Sequence, residues 1–280
     1  MIGDAGPVGK AVLMRARLLQ SRSLQSRMTT ILDYPLLLVF PISFAVLALA
    51  TWLGGRYAAS SKIVRESPED FNVVQTATLT LLGLIIGFTF SMALNRYDQR
   101  KNLEEEEANA IGTAYLRADL VASPHAAKMR DALKQYAGVR VRYYTTRDAA
   151  ELQAANAQAA KLQNDMWAAV RDGALENPNP LKALAVASVN DVVNSQGYTQ
   201  AAWWNRIPHG AWVLMSLLAI CANFLVGLGA KGTSAPLRLM VVFPMIIAAA
   251  FFLIADIDAP RGGAIRVAPQ NLHSLVDSLK

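Results

Sequence analysis

The chain has 280 residues; 53% are hydrophobic and only 17% are Asp, Glu, Lys or Arg, a balance that fits a membrane class. The formal net charge of +6 is a matter of topology, because residues 1–33 carry Lys10, Arg15, Arg17, Arg22 and Arg27 against Asp4 and Asp33, whereas residues 96–206 hold 14 basic and 13 acidic groups. No basic face interleaved with stacking aromatics appears, which excludes nucleic acid as a partner, and one cysteine, Cys221, excludes an intramolecular disulfide.

After the basic segment 1–33, the stretch Tyr34–Gly55 lacks charge over a span's length and predicts the first membrane helix. Ala48-Leu-Ala50 has the look of a signal-cleavage site, but the polar region ahead of it is about 34 residues, far longer than a signal n-region, so the span is expected to stay attached. The second uncharged stretch, Phe71–Asn95, is 25 residues long and runs without a Gly or Pro stop into Arg96 and beyond, keeping helical character to about Val121. At 1.5 Å per residue it crosses a hydrocarbon core of about 30 Å and continues into water. Such a helix suits a pore or a transducer better than an anchor.

Placed at 100° steps, Thr76, Thr80, Gly83, Leu84, Gly87, Phe88, Ser91 and Asn95 share an arc of about 140°, while Leu81, Leu82, Ile85, Met92 and Ala93 lie outside it. One face is small or polar and the other oily, with Thr78 and Thr89 as exceptions on the oily side. Gly83 and Gly87 also form a GxxxG pair. Close helix packing and pore lining both explain the arc, and periodicity alone leaves them open.

Residues 96–206 predict a helical domain, with breaks at Ser123-Pro124 and Glu176–Pro180 that give helices of about 96–121, 125–147, 149–172 and 181–205. Ala108, Ile111, Tyr115 and Ala118 recur at helical spacing as a thin apolar stripe, which implies that the domain leans on copies of itself or on neighbouring helices. Glu104, Glu105, Glu106 and Glu107 form either a vestibule charge or a solvated face, with Arg100–Glu104 and Lys101–Glu105 as i,i+4 pairs. Arg140, Arg142 and Arg147 are the alternative lining of such a chamber. The third and fourth spans are Ile207–Ala230 and the shorter Leu239–Ala255, in which Pro244 predicts a kink. Tyr34, Trp52, Tyr57, Tyr97, Trp203 and Trp204 sit at span ends, where amphipathic rings favour the headgroup layer.

Four spans put both termini on one side. Near span ends that side holds eleven basic residues (five in the first segment, then Arg96, Arg100, Lys101, Arg206, Arg261 and Arg266) against five opposite (Arg56, Lys62, Arg65, Lys231 and Arg238). The positive-inside rule then makes the termini and the 96–206 domain cytoplasmic in a multi-pass inner-membrane protein. Starting at Met28 instead of Met1 or Met14 would cut this to six against five.

Catalytic chemistry finds no footing. His125, His209 and His273 have no metal-ligand spacing, and Gly227-Leu-Gly-Ala-Lys-Gly232 matches GxGxxG only by coincidence, since it ends a span and follows no strand. No span carries a cluster of ionisable groups, so neither an enzyme nor a cofactor or metal site is expected.

Gly87-Phe88 followed eight residues later by Asn95-Arg96-Tyr97 resembles the second membrane helix of the bestrophins, and Asp258-Ala-Pro-Arg-Gly262 resembles their acidic-Pro-Phe-Gly box, with Arg261 in place of Phe. Leu81–Leu120 together with Phe252–Val267 is similar, more closely, to the bacterial bestrophin-like domain family. The resemblance implies an all-α, four-span homopentamer whose second helices line a central pore for small ions. Its apolar neck would then consist of Phe88, Leu84 and Thr80, which all fall in the arc found independently. A neck of this kind gates by dewetting. Asp256, Asp258, Pro260 and Gly262 map to the motif after the fourth span. Two aspartates are too few for the six to eight oxygens of a calcium site, so helix termination and hydrogen bonding are the expected role of Asp256 and Asp258. A non-conducting membrane scaffold, whose helical domain binds a partner, is the competing expectation.

Overall fold

One long helix, Pro68–Arg117, sets the architecture. A computed structural model describes residues 36–58, 66–230 and 236–280, without the side chains of 236–240. The basic segment 1–33, Tyr34, Lys62, Arg65 and Lys231 lie outside these residues. Among the described residues, eight α-helices follow in chain order: α1 Val39–Tyr57, α2 Pro68–Arg117, α3 His125–Thr145, α4 Ala149–Leu175, α5 Pro180–Trp204, α6 His209–Gly229, α7 Pro236–Asp258 and α8 Gln270–Ser278. The described residues contain no strand. Among the described residues, four helices are long and apolar enough to cross a membrane, with mean hydropathy between 2.0 and 2.4. The chain is an all-helical membrane protein.

The 50-residue α2 opens with Pro68 in its first turn and Glu69 and Asp70 beside the positive end of the helix dipole. At 1.5 Å per residue it is roughly 75 Å long, more than twice the hydrocarbon thickness. A single 3₁₀ turn, Ala118–Leu120, closes it before the chain reverses at Pro124. The other breaks carry their own signals. Asp148 accepts the Ala150 and Glu151 amides to start α4, and Asn179 accepts the Lys182 amide at 3.0 Å, just ahead of Pro180, to start α5. Helix α7 runs through Pro244 as one element and extends past the apolar stretch on both sides.

In the apolar layer, α6 and α7 each pack on both α1 and α2, while α1 and α2 make no substantial contact. The tightest seam joins α1 to α6: a Cβ on Gly54 would overlap the Phe224 carbonyl, and one on Gly227 would overlap the Thr51 carbonyl. Beside these glycines, Thr51 donates to the Leu47 carbonyl at 3.0 Å and lies 3.2 Å from Asn223 Oδ1, both side chains fully buried. Close approach therefore occurs at Gly54 and Gly227. At Gly83 and Gly87 nothing among the described residues lies within 4 Å of a would-be Cβ.

The second layer comprises the far half of α2 with α3, α4 and α5, and α8 leans on α2 and α3. It has a core of its own, in which Met129, Leu133, Tyr136, Met166, Val170 and Val189 are fully enclosed around Ile111 and Ala114. The thin stripe on α2 thus gains its burial within one chain. Trp203 belongs to this core, edge-on to Tyr143 at 5.5 Å and to Tyr144 at 5.4 Å, and not to a headgroup belt. Trp52, Tyr57 and Trp204 stay exposed, and Cys221 faces outward from α6.

Candidate pore face and the polar junction below it

Each residue of the polar arc on α2 is uncovered. Thr76, Thr80, Gly83, Leu84, Gly87, Phe88, Ser91 and Asn95 are all exposed, with Leu84 at 50% and Phe88 at 62%, while Leu82, Thr89 and Ala93 on the opposite face are buried against α6 and α7. The two threonines that interrupt the oily side explain themselves: Thr89 donates to the Ile85 carbonyl at 2.7 Å and Thr78 to the Val74 carbonyl at 2.8 Å. A hydroxyl that bonds back into its own helix is tolerated in an apolar setting. Among the described residues, the side chains of Thr76, Thr80, Ser91 and Asn95 have no hydrogen-bond partner. The uncovered stripe continues past the apolar stretch through Asp98, Asn102, Glu105, Glu106, Asn109 and Thr113 to Leu116.

The four glutamates divide between the two faces. Glu105 and Glu106 lie on the exposed stripe, whereas Glu104 is 1% exposed and Glu107 is 0% exposed. Reading all four as one vestibule charge or one solvated face is corrected by this burial, and the Arg100–Glu104 pair does not form. Arg100 donates instead to the carbonyls of Arg96 at 3.1 Å and Ile257 at 3.3 Å. Glu104 accepts the Leu272 amide at 2.9 Å and the Asn271 amide nitrogen at 2.7 Å, placing a carboxylate at the N-terminal end of α8.

Glu107 takes both guanidinium arms of Arg140, the Tyr144 hydroxyl at 3.3 Å and the Thr199 hydroxyl at 3.3 Å. One carboxylate thereby ties α2 to α3 and α5. Burial works against the Arg140 charge, but Glu107 outweighs it and holds the guanidinium above its ordinary range. Burial first, and Glu107 second, push the Tyr136 and Tyr144 phenols up. Arg140 is enclosed here and lines no chamber.

The motif after α7 works as a clasp. Asp258 accepts the Ile207 amide with both oxygens, at 3.1 and 3.2 Å, at the link between α5 and α6, and Asp256 accepts the Ala264 and Ile265 amides at 2.8 Å each. Helix termination and hydrogen bonding, as the sequence suggests, are what both aspartates do. Pro260 is buried, but Gly262 is open, and the position with no room for a Cβ is Gly263, where it would strike the Asp256 carbonyl. Arg261 lies over the Trp203 ring at 4.1 Å and the Tyr143 ring at 4.5 Å, so the guanidinium fills an aromatic niche. It also donates to the Tyr143 carbonyl at 2.6 Å and the Thr146 carbonyl at 3.3 Å, which closes the end of α3. Among the described residues no group of His, Cys, Asp and Glu is arranged to hold a metal.

Family models decide the affiliation: the Bestrophin-like domain matches residues 42–272, most of the chain. The chain belongs to the bestrophin-like family. The bestrophin-like chain is similar in fold to the bacterial bestrophin homologue from Klebsiella pneumoniae, with a TM-score of 0.59 at 13% identity, covering 83% of this chain and 94% of that one. A tryptophan-to-alanine variant of that homologue matches with a TM-score of 0.60 at 12% identity over 87% and 95% of the two chains. A leucine-to-threonine variant gives 0.56 at 12% identity over 84% and 96%. At these identities the likeness concerns the fold. Among curated proteins no sequence matches.

Proposed function

We propose that this bestrophin-like protein is an oligomeric, passive ion channel in which α2 from each copy faces a shared axis. The observation that carries the reading is the uncovered stripe of α2. Phe88 and Leu84 are exposed beside Thr80, Ser91 and Asn95, whose polar side chains have no partner among the described residues, whereas Leu82, Thr89 and Ala93 on the opposite face are packed and the other exposed positions of this stretch, Leu81, Phe90, Met92 and Leu94, are apolar. Facing lipid, the threonine and serine hydroxyls can turn back onto their own helix as Thr78 and Thr89 do, but the Asn95 carboxamide would be left without partners at a cost of a few kcal/mol. Facing a water-filled axis, they are solvated. Packing through Gly83 and Gly87 in one chain is not what the stripe serves, since both glycines stand open.

Thr80, Leu84 and Phe88 form the neck, and Asp98, Glu105 and Glu106 supply the charge of the vestibule, because they alone among the α2 acids of this region lie on the same exposed stripe. Glu104 and Glu107 serve the fold. Family resemblance supports five copies, permeant small ions, the 96–206 helices in the cytoplasm and an inner-membrane address; the positive-inside count favours the same orientation. A scaffold reading draws on a different observation, the exposed Leu175, Leu181 and Leu184 on the second layer, which offer a surface to a partner or to another copy.

Ion flux from liposomes containing the purified chain tests the channel. The Leu84→Ala and Phe88→Ala variants, each expected to fold because half or more of each side chain is exposed, widen an apolar constriction and should raise flux several-fold. Flux absent from the parent, or unchanged in both variants, contradicts the neck.

A further inference from the structure

An apolar groove of about 420 Å³ lies between α1, α6 and α7 at the end of the bundle that joins the second layer. Its walls include Ile42 and Val46 of α1, Trp212 and Ile220 of α6 and Phe251 of α7, and it ends on Arg206 and Asp258. The volume is within the range of small-molecule sites. Ser43, the hydroxyl on the α1 wall, is spent on the Val39 and Phe40 carbonyls at 2.6 and 3.1 Å, so that wall asks an occupant for no hydrogen bond.

The polar end carries surplus positive charge. Arg96, Arg100 and Arg206 all act electrostatically on the one carboxylate of Asp258. Both oxygens of Asp258 are already engaged by the Ile207 amide, and Arg96 approaches no nearer than 3.8 Å. Arg96 Nη1 is buried without a hydrogen-bond partner, and only Arg206 of the three borders the groove. Three cations thus share one anion at the level where the apolar helices meet the polar layer.

We propose that this groove binds an anionic phospholipid, with an acyl chain along the α1, α6 and α7 walls and the phosphate at Arg206. Charge complementarity selects the occupant: an oily channel inside the bilayer that ends in excess guanidinium charge at the interface matches an amphiphile with an anionic head. A zwitterionic lipid fits the walls and brings a phosphate, but its ammonium cancels the headgroup charge that surplus guanidinium would select. A second copy of the chain fits the walls but brings no phosphate.

Titration of the purified full-length protein with phosphatidylglycerol and with phosphatidylcholine of the same acyl chains, read by native mass spectrometry, tests the assignment. The parent should retain phosphatidylglycerol in preference. Arg206→Gln should weaken phosphatidylglycerol roughly fivefold, the worth of one basic residue near a charged lipid surface, and phosphatidylcholine by a smaller factor. Arg206→Lys should restore it, which separates charge from a structural effect. Ile220→Trp fills the groove and should weaken both lipids, whereas Arg56→Gln, near the other end of α1, should change neither. Equal retention of the two lipids by the parent, or equal effects of Arg206→Gln and Arg56→Gln, overturns the proposal. So does efficient cross-linking of one copy to another through Ser43→Cys, since the groove would then be closed by protein. The site depends on membrane placement alone, so its failure leaves the pore reading intact.

Discussion

Glu107 and Arg140 are buried at 0% and 1% exposure and satisfy one another with help from Tyr144 and Thr199. Removing one partner strands a charge in the core. Glu107→Ala is therefore expected to cost about 3–5 kcal/mol of unfolding free energy, against about 0.5 kcal/mol for a surface change such as Glu105→Ala. Chemical denaturation of the purified protein checks this, and a loss within the surface range would contradict the buried pair. Replacing both members, Glu107→Leu with Arg140→Met, should recover most of the loss. Neighbouring phenols make a second prediction. Tyr136 and Tyr144 have pKa values raised chiefly by burial. An acid whose folded pKa exceeds its unfolded value contributes stability that is fully present below about pH 10 and lost as pH rises through the folded value. In an alkaline titration, the tyrosinate absorbance of these two residues should therefore appear with unfolding and not before it. Independent ionisation in the folded state would contradict their enclosure.

At the scale of elements, α2 was largely legible in the sequence and its lower half only partly. Absence of charge from Phe71 to Asn95, and of Gly or Pro stops beyond it, marks a continuous helix, and the 100° repeat marks its polar arc. The glutamate run misleads because charge is read as solvation. The stripe of Ala108 and Ile111, extended one turn back, lands on Glu104 and Glu107, so a signal for their burial was present in the period although their partners lie far along the chain. Nothing local names Arg140, 33 residues on, or Leu272, 168 residues on. Arg261 is a further case: only the fold brings its guanidinium to Tyr143 and Trp203. Glu104 ties α8 to α2. Since it holds the Asn271 side chain and the Leu272 amide, Glu104→Ala should release α8, raising amide exchange across Gln270–Ser278 at least tenfold while leaving α5 unchanged. Equal protection of α8 in both proteins would show that its apolar contacts suffice.

For the whole molecule, two layers with separate cores share one helix, so any displacement of α2 in the membrane is transmitted to Glu104, Glu107 and the elements they hold. The uncovered stripe along that helix is what an assembly would close upon. Its occupation by water is the central claim, and thiol modification during single-channel recording tests it most directly. In a Cys221→Ser background, Thr80→Cys and Phe88→Cys should give discrete conductance that a charged, water-soluble thiol reagent alters irreversibly. Leu217→Cys, on the exposed outer face of α6, should conduct and resist the reagent. If Thr80→Cys and Phe88→Cys conduct but ignore the reagent, or if no member of the series conducts, α2 does not line a pore.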